Sequence, residues 1–166
     1  KVTGVQTCAL PIYYGRITPA CTTEIHTLHR AVQPQLHLLS MAQQFTNLSI
    51  SVVEDNDDLR TTLVDLLEAD GFSASGFIGV EEFLPSLATT QPHLIVCDLQ
   101  MEGCDGFDLI DRIKGAGLNI PVILMSGTSN PNMRTKALSR GAAVFLQKPF
   151  DFSALLNAFQ FCSPND

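Results

Sequence analysis

Side chains able to do chemistry stand just after four apolar runs. Glu54 and Asp55 follow Leu48–Val53, Asp98 follows His93–Cys97, Ser126 follows Ile120–Met125, and Lys148 comes shortly after Ala143–Leu146. If those runs are neighbouring parallel strands, Glu54, Asp55 and Asp98 face one another across a few ångströms. At about 5 Å and an effective dielectric near 20, each like-charge pair then costs roughly 3 kcal/mol. Such a trio needs a cation. Carboxylate oxygens without a His or Cys partner suit Mg²⁺ that keeps several of its waters. An ion of that kind, a lysine, a hydroxyl and a carboxylate around an open rim can perform phosphoryl transfer. The cations neutralise phosphoryl oxygens, the hydroxyl donates to one, and a carboxylate can be the nucleophile.

Each residue alone has an ordinary explanation. Asp98 could be a helix cap, Ser126-Gly127 is common turn chemistry, and Lys148 could be a solvated surface lysine. Only their recurrence at matching places makes the chemical reading the stronger one.

The elements that must position these residues alternate. Leu48–Val53 reads as a strand, and residues 57–69 place Leu59, Leu63, Leu66 and Leu67 at helical spacing until Asp70-Gly71. Within the acidic run, Asp57 is expected to cap that helix and Asp58 to favour its first turn. Phe72–Ile78 reads as a weaker strand and Gly79–Leu87 as a short helix, with Glu81 and Glu82 near its start. His93–Cys97, Ile120–Met125 and Ala143–Leu146 are further strands. Helices are expected over Gly106–Lys114, near 132–140, and around Phe152, Leu155, Leu156 and Phe159. Strands apolar on both faces, separated by amphipathic helices, imply a parallel sheet covered on both sides. Right-handed crossovers make this a doubly wound α/β fold, which binds ligands outside the carboxyl ends of its strands.

Composition narrows the function. The 166 residues are 45% hydrophobic and carry a formal charge of −7. No stretch reaches the roughly 18 apolar residues of a membrane span, and the acidic balance argues against a nucleic-acid surface within this chain. Cys8, Cys21, Cys97, Cys104 and Cys162 form no Cys-x-x-Cys pair, which fits a reducing cytosol better than a disulfide framework. The histidines form no cluster, and His93 reads as structural. Charge is uneven: residues 1–40 carry Lys1, Arg16 and Arg30 against Glu24, a balance of +2 that leaves −9 for the rest. Val2–Ile12 resembles a translated sequencing-library adapter. Residues 1–40 are therefore expected to be a non-native extension, with 1–12 an artefact and 13–40 upstream DNA read in frame before Met41. The rival is a natural disordered tail.

Glu54-Asp55, Asp98-Leu99-Gln100-Met101-Glu102-Gly103-Cys104-Asp105-Gly106, Ser126-Gly127-Thr128 and Lys148-Pro149-Phe150 together resemble the receiver domain of bacterial two-component response regulators. The resemblance covers about residues 48–161, within a domain taken as 46–162, followed by a tail or truncated linker over 163–166. It implies a flavodoxin-like (βα)5 fold with strand order 2-1-3-4-5. It implies Asp98 as phosphoacceptor from a phosphohistidine on a sensor histidine kinase or histidine phosphotransfer protein. Asp55 and Asp98 would ligate Mg²⁺ with the backbone carbonyl of Gln100, and Glu54 would act through water. Lys148 would pair with Asp98 and then with the phosphoryl group, its bond to Pro149 being cis. Ser126 would reach a phosphoryl oxygen, letting Phe145 turn inward and changing the face of helix 4, strand 5 and helix 5, through which a homodimer could form. A cytoplasmic signalling domain, rather than an enzyme, is the expectation.

Departures from the family pattern are Glu102 where proline is common and Phe145 where tyrosine is frequent; Gln100 and Thr128 occupy positions that tune dephosphorylation. A Mg²⁺-dependent aspartyl phosphatase would want a second Asp where Gln100 stands. A flavin carrier would want a phosphate-cradling loop where Glu54-Asp55 stand. A pseudo-receiver that never accepts phosphate is the remaining rival. Either the chain is a stand-alone receiver or an output domain belongs after it.

Overall fold

A computed structural model describes residues 48–162 except 129 and 131. The extension before Met41 and the tail over 163–166 lie outside the described residues. Five strands and five helices alternate: β1 (Ser49–Val53), α1 (Asp57–Ala69), β2 (Ser73–Phe77), α2 (Val80–Ser86), β3 (Leu94–Asp98), α3 (Gly106–Gly115), β4 (Val122–Ser126), α4 (Met133–Arg140), β5 (Val144–Gln147) and α5 (Phe152–Phe159). The strands form one parallel sheet in the order β2-β1-β3-β4-β5.

The apolar runs are explained by burial on both faces. Ile50, Val52, Leu94, Val96, Ile123 and Met125 pack with Leu63 and Leu67 of α1 and Leu155 and Phe159 of α5. The alternate strand residues Val53, Ile95, Cys97, Val122 and Leu124 pack with Phe83 of α2, Ile110 of α3 and Ala137 of α4. Edge strand β2 is the exception: Ala74 meets one core and Phe77 the other, but Ser73, Ser75 and Gly76 are exposed, which leaves its sequence signal weak.

Two expectations need correction. The cap of α1 is Asn56, not Asp57: Asn56 is extended, and its side chain accepts from the Leu59 amide at 2.9 Å. Asp57 is already helical, and its carboxylate pairs with Arg60. Strands β3 and β4 begin at Leu94 and Val122, later than their apolar runs suggest. His93 stays outside β3, with its Nδ1 against the amide and hydroxyl of Ser49 at 3.1 and 2.8 Å.

Register brings the strand ends level. Val53 lies opposite Cys97, Cys97 opposite Leu124, and Asp98 opposite Met125, while Ser126 lies opposite Gln147. Glu54 and Asp98 thus stand level, with Ser126 one residue and Lys148 two residues further along the same rim.

Candidate functional site

Carboxylate oxygens of Glu54, Asp55 and Asp98 lie within 4.8 Å of one another, and no other such group of three or more His, Cys, Asp or Glu occurs among the described residues. Glu54 and Asp98 are buried, at 1% and 7% exposure, whereas Asp55 is exposed. Lys148 reaches both buried acids, with Nζ 2.8 Å from Glu54 Oε2 and 3.2 Å from Asp98 Oδ1. Pairing with Asp98 is what the sequence implied; the shorter contact to Glu54 is not. The Asp98 Oδ1 atom also accepts from the Leu99 amide at 2.9 Å.

Burial raises the pKa of Glu54 above the ordinary carboxylate range. The Lys148 hydrogen bond opposes that shift and the negative charge of Asp98 adds to it. Desolvation wins over the lysine. One cation shared by two buried carboxylates leaves the rim short of positive charge, and the hard-oxygen donor set fits a divalent ion such as Mg²⁺.

Ser126 is fully buried at the end of β4, where its hydroxyl accepts from the Thr128 amide at 3.2 Å. Its carbonyl accepts from the Lys148 amide at 2.8 Å, and the Lys148–Pro149 bond is cis. The main chain thereby sets the lysine beside β4 before its side chain crosses to β1 and β3. Phe145 is 4% exposed in the same core cluster as Leu124 and Phe107, so its ring already lies inside the domain. Gln100 is an exposed residue just beyond Asp98.

The loop after Asp98 is held by α3. Asp105 caps that helix, accepting from Phe107 and Asp108 amides, and Asp108 returns the bond to the Asp105 amide. Gly106 sits where a Cβ would lie 2.7 Å from Leu124 Cδ2 and 2.8 Å from the Asp98 carbonyl oxygen. Gly106→Ala is therefore expected to cost roughly 2 kcal/mol through overpacking against backbone. Urea denaturation measures this; an unchanged midpoint would mean that the loop yields.

Neither cysteine near the site is an activated nucleophile. Burial and the charge of Asp98 push the Cys97 thiol well up. The Cys104 thiol donates to Glu81 at 3.1 Å, a bond that holds the proton on sulfur and raises its pKa.

Arg60 was missed at the sequence level. It donates to the Glu54 carbonyl at 2.7 Å, and its side chain is only 17% exposed. Its spacing from Asp57 announces a helical ion pair, but nothing in the sequence announces its reach back to β1.

The arrangement coincides with a known family, since the model of the response regulator receiver domain matches residues 50–160. The chain belongs to this family. As a receiver domain it is similar to the transcriptional regulatory protein FixJ of Azorhizobium caulinodans, 32% identical over 112 residues, 68% of this chain and 53% of that protein. It is also similar to the nitrogen assimilation regulatory protein NtrX of the same organism, 33% identical over 64% of this chain and 24% of that one. The chain thus spans about half or less of the length of these relatives. Among solved structures, the receiver domain resembles a response regulator receiver protein from Pseudomonas putida, with 30% identity, a TM-score of 0.63, and coverage of 69% of this chain and 96% of that one. It resembles a FixJ N-terminal structure with a TM-score of 0.65, 26% identity and coverage of 69% and 92%. The receiver fold and the strand order of two-component response regulators are those the motifs implied. No described helix is long and apolar enough to cross a membrane.

Proposed function

We propose that this receiver domain accepts a phosphoryl group on Asp98 from the phosphohistidine of a sensor kinase or phosphotransfer protein. The observation that supports this most directly is the meeting of Glu54, Asp55 and Asp98 with Lys148 on one rim. Asp55 and Asp98 would hold Mg²⁺ with the Gln100 carbonyl, and Glu54 would contribute through water. When bound, the ion supplies charge neutralisation at the phosphoryl oxygens.

With Oδ1 of Asp98 tied to the Leu99 amide and to Lys148, the second carboxylate oxygen is the one that attacks phosphorus. The new O–P bond forms as the P–N bond breaks, and the electron pair leaves with the imidazole nitrogen. Lys148 follows the developing charge outward to a phosphoryl oxygen, and the Ser126 hydroxyl donates to another. Ser126 lies opposite Gln147 on β5, two residues from Phe145, so its movement is felt by the face of α4, β5 and α5. That face changes affinity for its partner, a homodimer being one form this output can take. The domain acts as a cytoplasmic signalling element that promotes its own phosphorylation and dephosphorylation.

Incubation with labelled acetyl phosphate and Mg²⁺ tests the reading. The expected product is a stoichiometric label that hydroxylamine removes, as it does from an acyl phosphate. No label on the folded protein would favour a pseudo-receiver instead.

A further inference from the structure

Asp55 is the one exposed member of the acidic trio, so packing around its side chain does not aim it. Its direction depends on the peptide that precedes it. That planar unit contains the Glu54 carbonyl, which accepts from Arg60 Nη1 at 2.7 Å. One atom group earlier, the Glu54 amide donates to the Phe77 carbonyl of β2 at 3.0 Å. The chain entering Asp55 is therefore held from both sides, by the sheet on one and by a guanidinium on the other. Arg60 is itself set in place: its Nη2 pairs with Asp57, and its stem lies across β2 at Gly76. A Cβ at Gly76 would come 3.0 Å from Arg60 Cγ and 3.2 Å from Cδ, so the absent side chain makes room for the stem.

We infer that Arg60 is a positioning residue for the cation site, fixing the Glu54–Asp55 peptide so that Asp55 presents its carboxylate beside Asp98. This rests on the proposed Mg²⁺-dependent reading of the rim. The sign of the effect separates it from simpler roles. A guanidinium acting only as a nearby positive charge repels a divalent ion, so removing it would tighten binding. A residue that orients a ligand weakens binding when removed, typically about tenfold or more. A residue that merely stabilises the fold changes the melting temperature and leaves ion affinity alone.

The test is calorimetric titration of Mg²⁺ into wild type, Arg60→Gln, Arg60→Lys and Gly76→Ala, with acetyl phosphate labelling measured across the same Mg²⁺ range. Arg60→Gln is expected to raise the Mg²⁺ dissociation constant roughly tenfold and the half-saturating Mg²⁺ for labelling in parallel. The labelling rate at saturating Mg²⁺ should stay within about twofold, because the lost alignment is regained once the ion is bound. Arg60→Lys, which keeps the charge but not the fork, should fall between. Gly76→Ala retains the arginine and displaces its stem, so it should weaken Mg²⁺ in the same direction. Unchanged or tighter Mg²⁺ binding in Arg60→Gln and Gly76→Ala would overturn the inference. A wild type that binds Mg²⁺ but takes no label would sink the phosphoacceptor reading, while the titrations would still decide the role of Arg60.

Discussion

Asp98→Asn is expected to abolish labelling by acetyl phosphate, a loss of at least about a hundredfold, because an amide oxygen is a poor nucleophile and forms no stable acyl phosphate. The fold should survive. The isosteric Asn can still accept from the Leu99 amide, a bond now made by Asp98 Oδ1 at 2.9 Å. One buried negative charge also disappears from beside Glu54, whose pKa Asp98 helps to raise. The melting temperature without Mg²⁺ should therefore hold or rise, while Mg²⁺ affinity falls. Phosphate incorporation and thermal melts on the same preparation check both parts. Full labelling of the mutant would move the phosphoacceptor elsewhere, and a collapse in melting temperature would make loss of labelling uninformative about the nucleophile.

Lys148→Ala should produce the largest loss of stability. It leaves Glu54 and Asp98, at 1% and 7% exposure, facing each other without the cation that now lies 2.8 and 3.2 Å away. Breaking a fully buried pair costs about 3–5 kcal/mol, and the 21% exposure of the lysine side chain places this case near or below the lower end, at roughly 3 kcal/mol. The cost depends on pH in a definite direction. Glu54 is raised in the folded protein, and both influences that Lys148 exerts on it are lowering ones. Without the lysine, the folded state holds the Glu54 proton still more tightly than the unfolded chain. Stability of the variant is then greatest in acid and falls as pH climbs from the ordinary value of 4.5 through the raised one. Urea midpoints in chelator at pH 5 and pH 8 should show the smaller deficit at pH 5. Mg²⁺ should recover part of the loss at pH 8 by binding only the folded state. A deficit equal at both pH values would mean that the lysine acts through packing of its stem.

The interior of the sheet was legible because β1, β3 and β4 are buried on both faces and so spell themselves as unbroken apolar runs. Strand β2 was only faintly legible, since in SASGF only Ala74 and Phe77 pack against a core and the other three residues are exposed. The choice of cap between Asn56 and Asp57 was beyond sequence reasoning: both residue types cap well, and the backbone angles decide. The candidate site was legible as a set of strand ends. Its internal pairing was not, because an acidic run reads as solvated whether or not one member turns inward. Glu54 does so because Lys148 approaches from the far side of β3, 94 residues later in the chain. Arg60 needed the structure for the same reason, its stem resting on a glycine of another strand.

All the candidate chemistry stands on one rim, leaving the opposite rim as territory for instrumentation. There α1 returns to β2 through Asp70–Phe72, and α3 returns to β4 through residues 116–121, where Gly117 and Asn119 are exposed. A fluorophore or short epitope placed at Asn119 should report on the domain without touching the acidic rim, because tolerance follows exposure of the altered backbone.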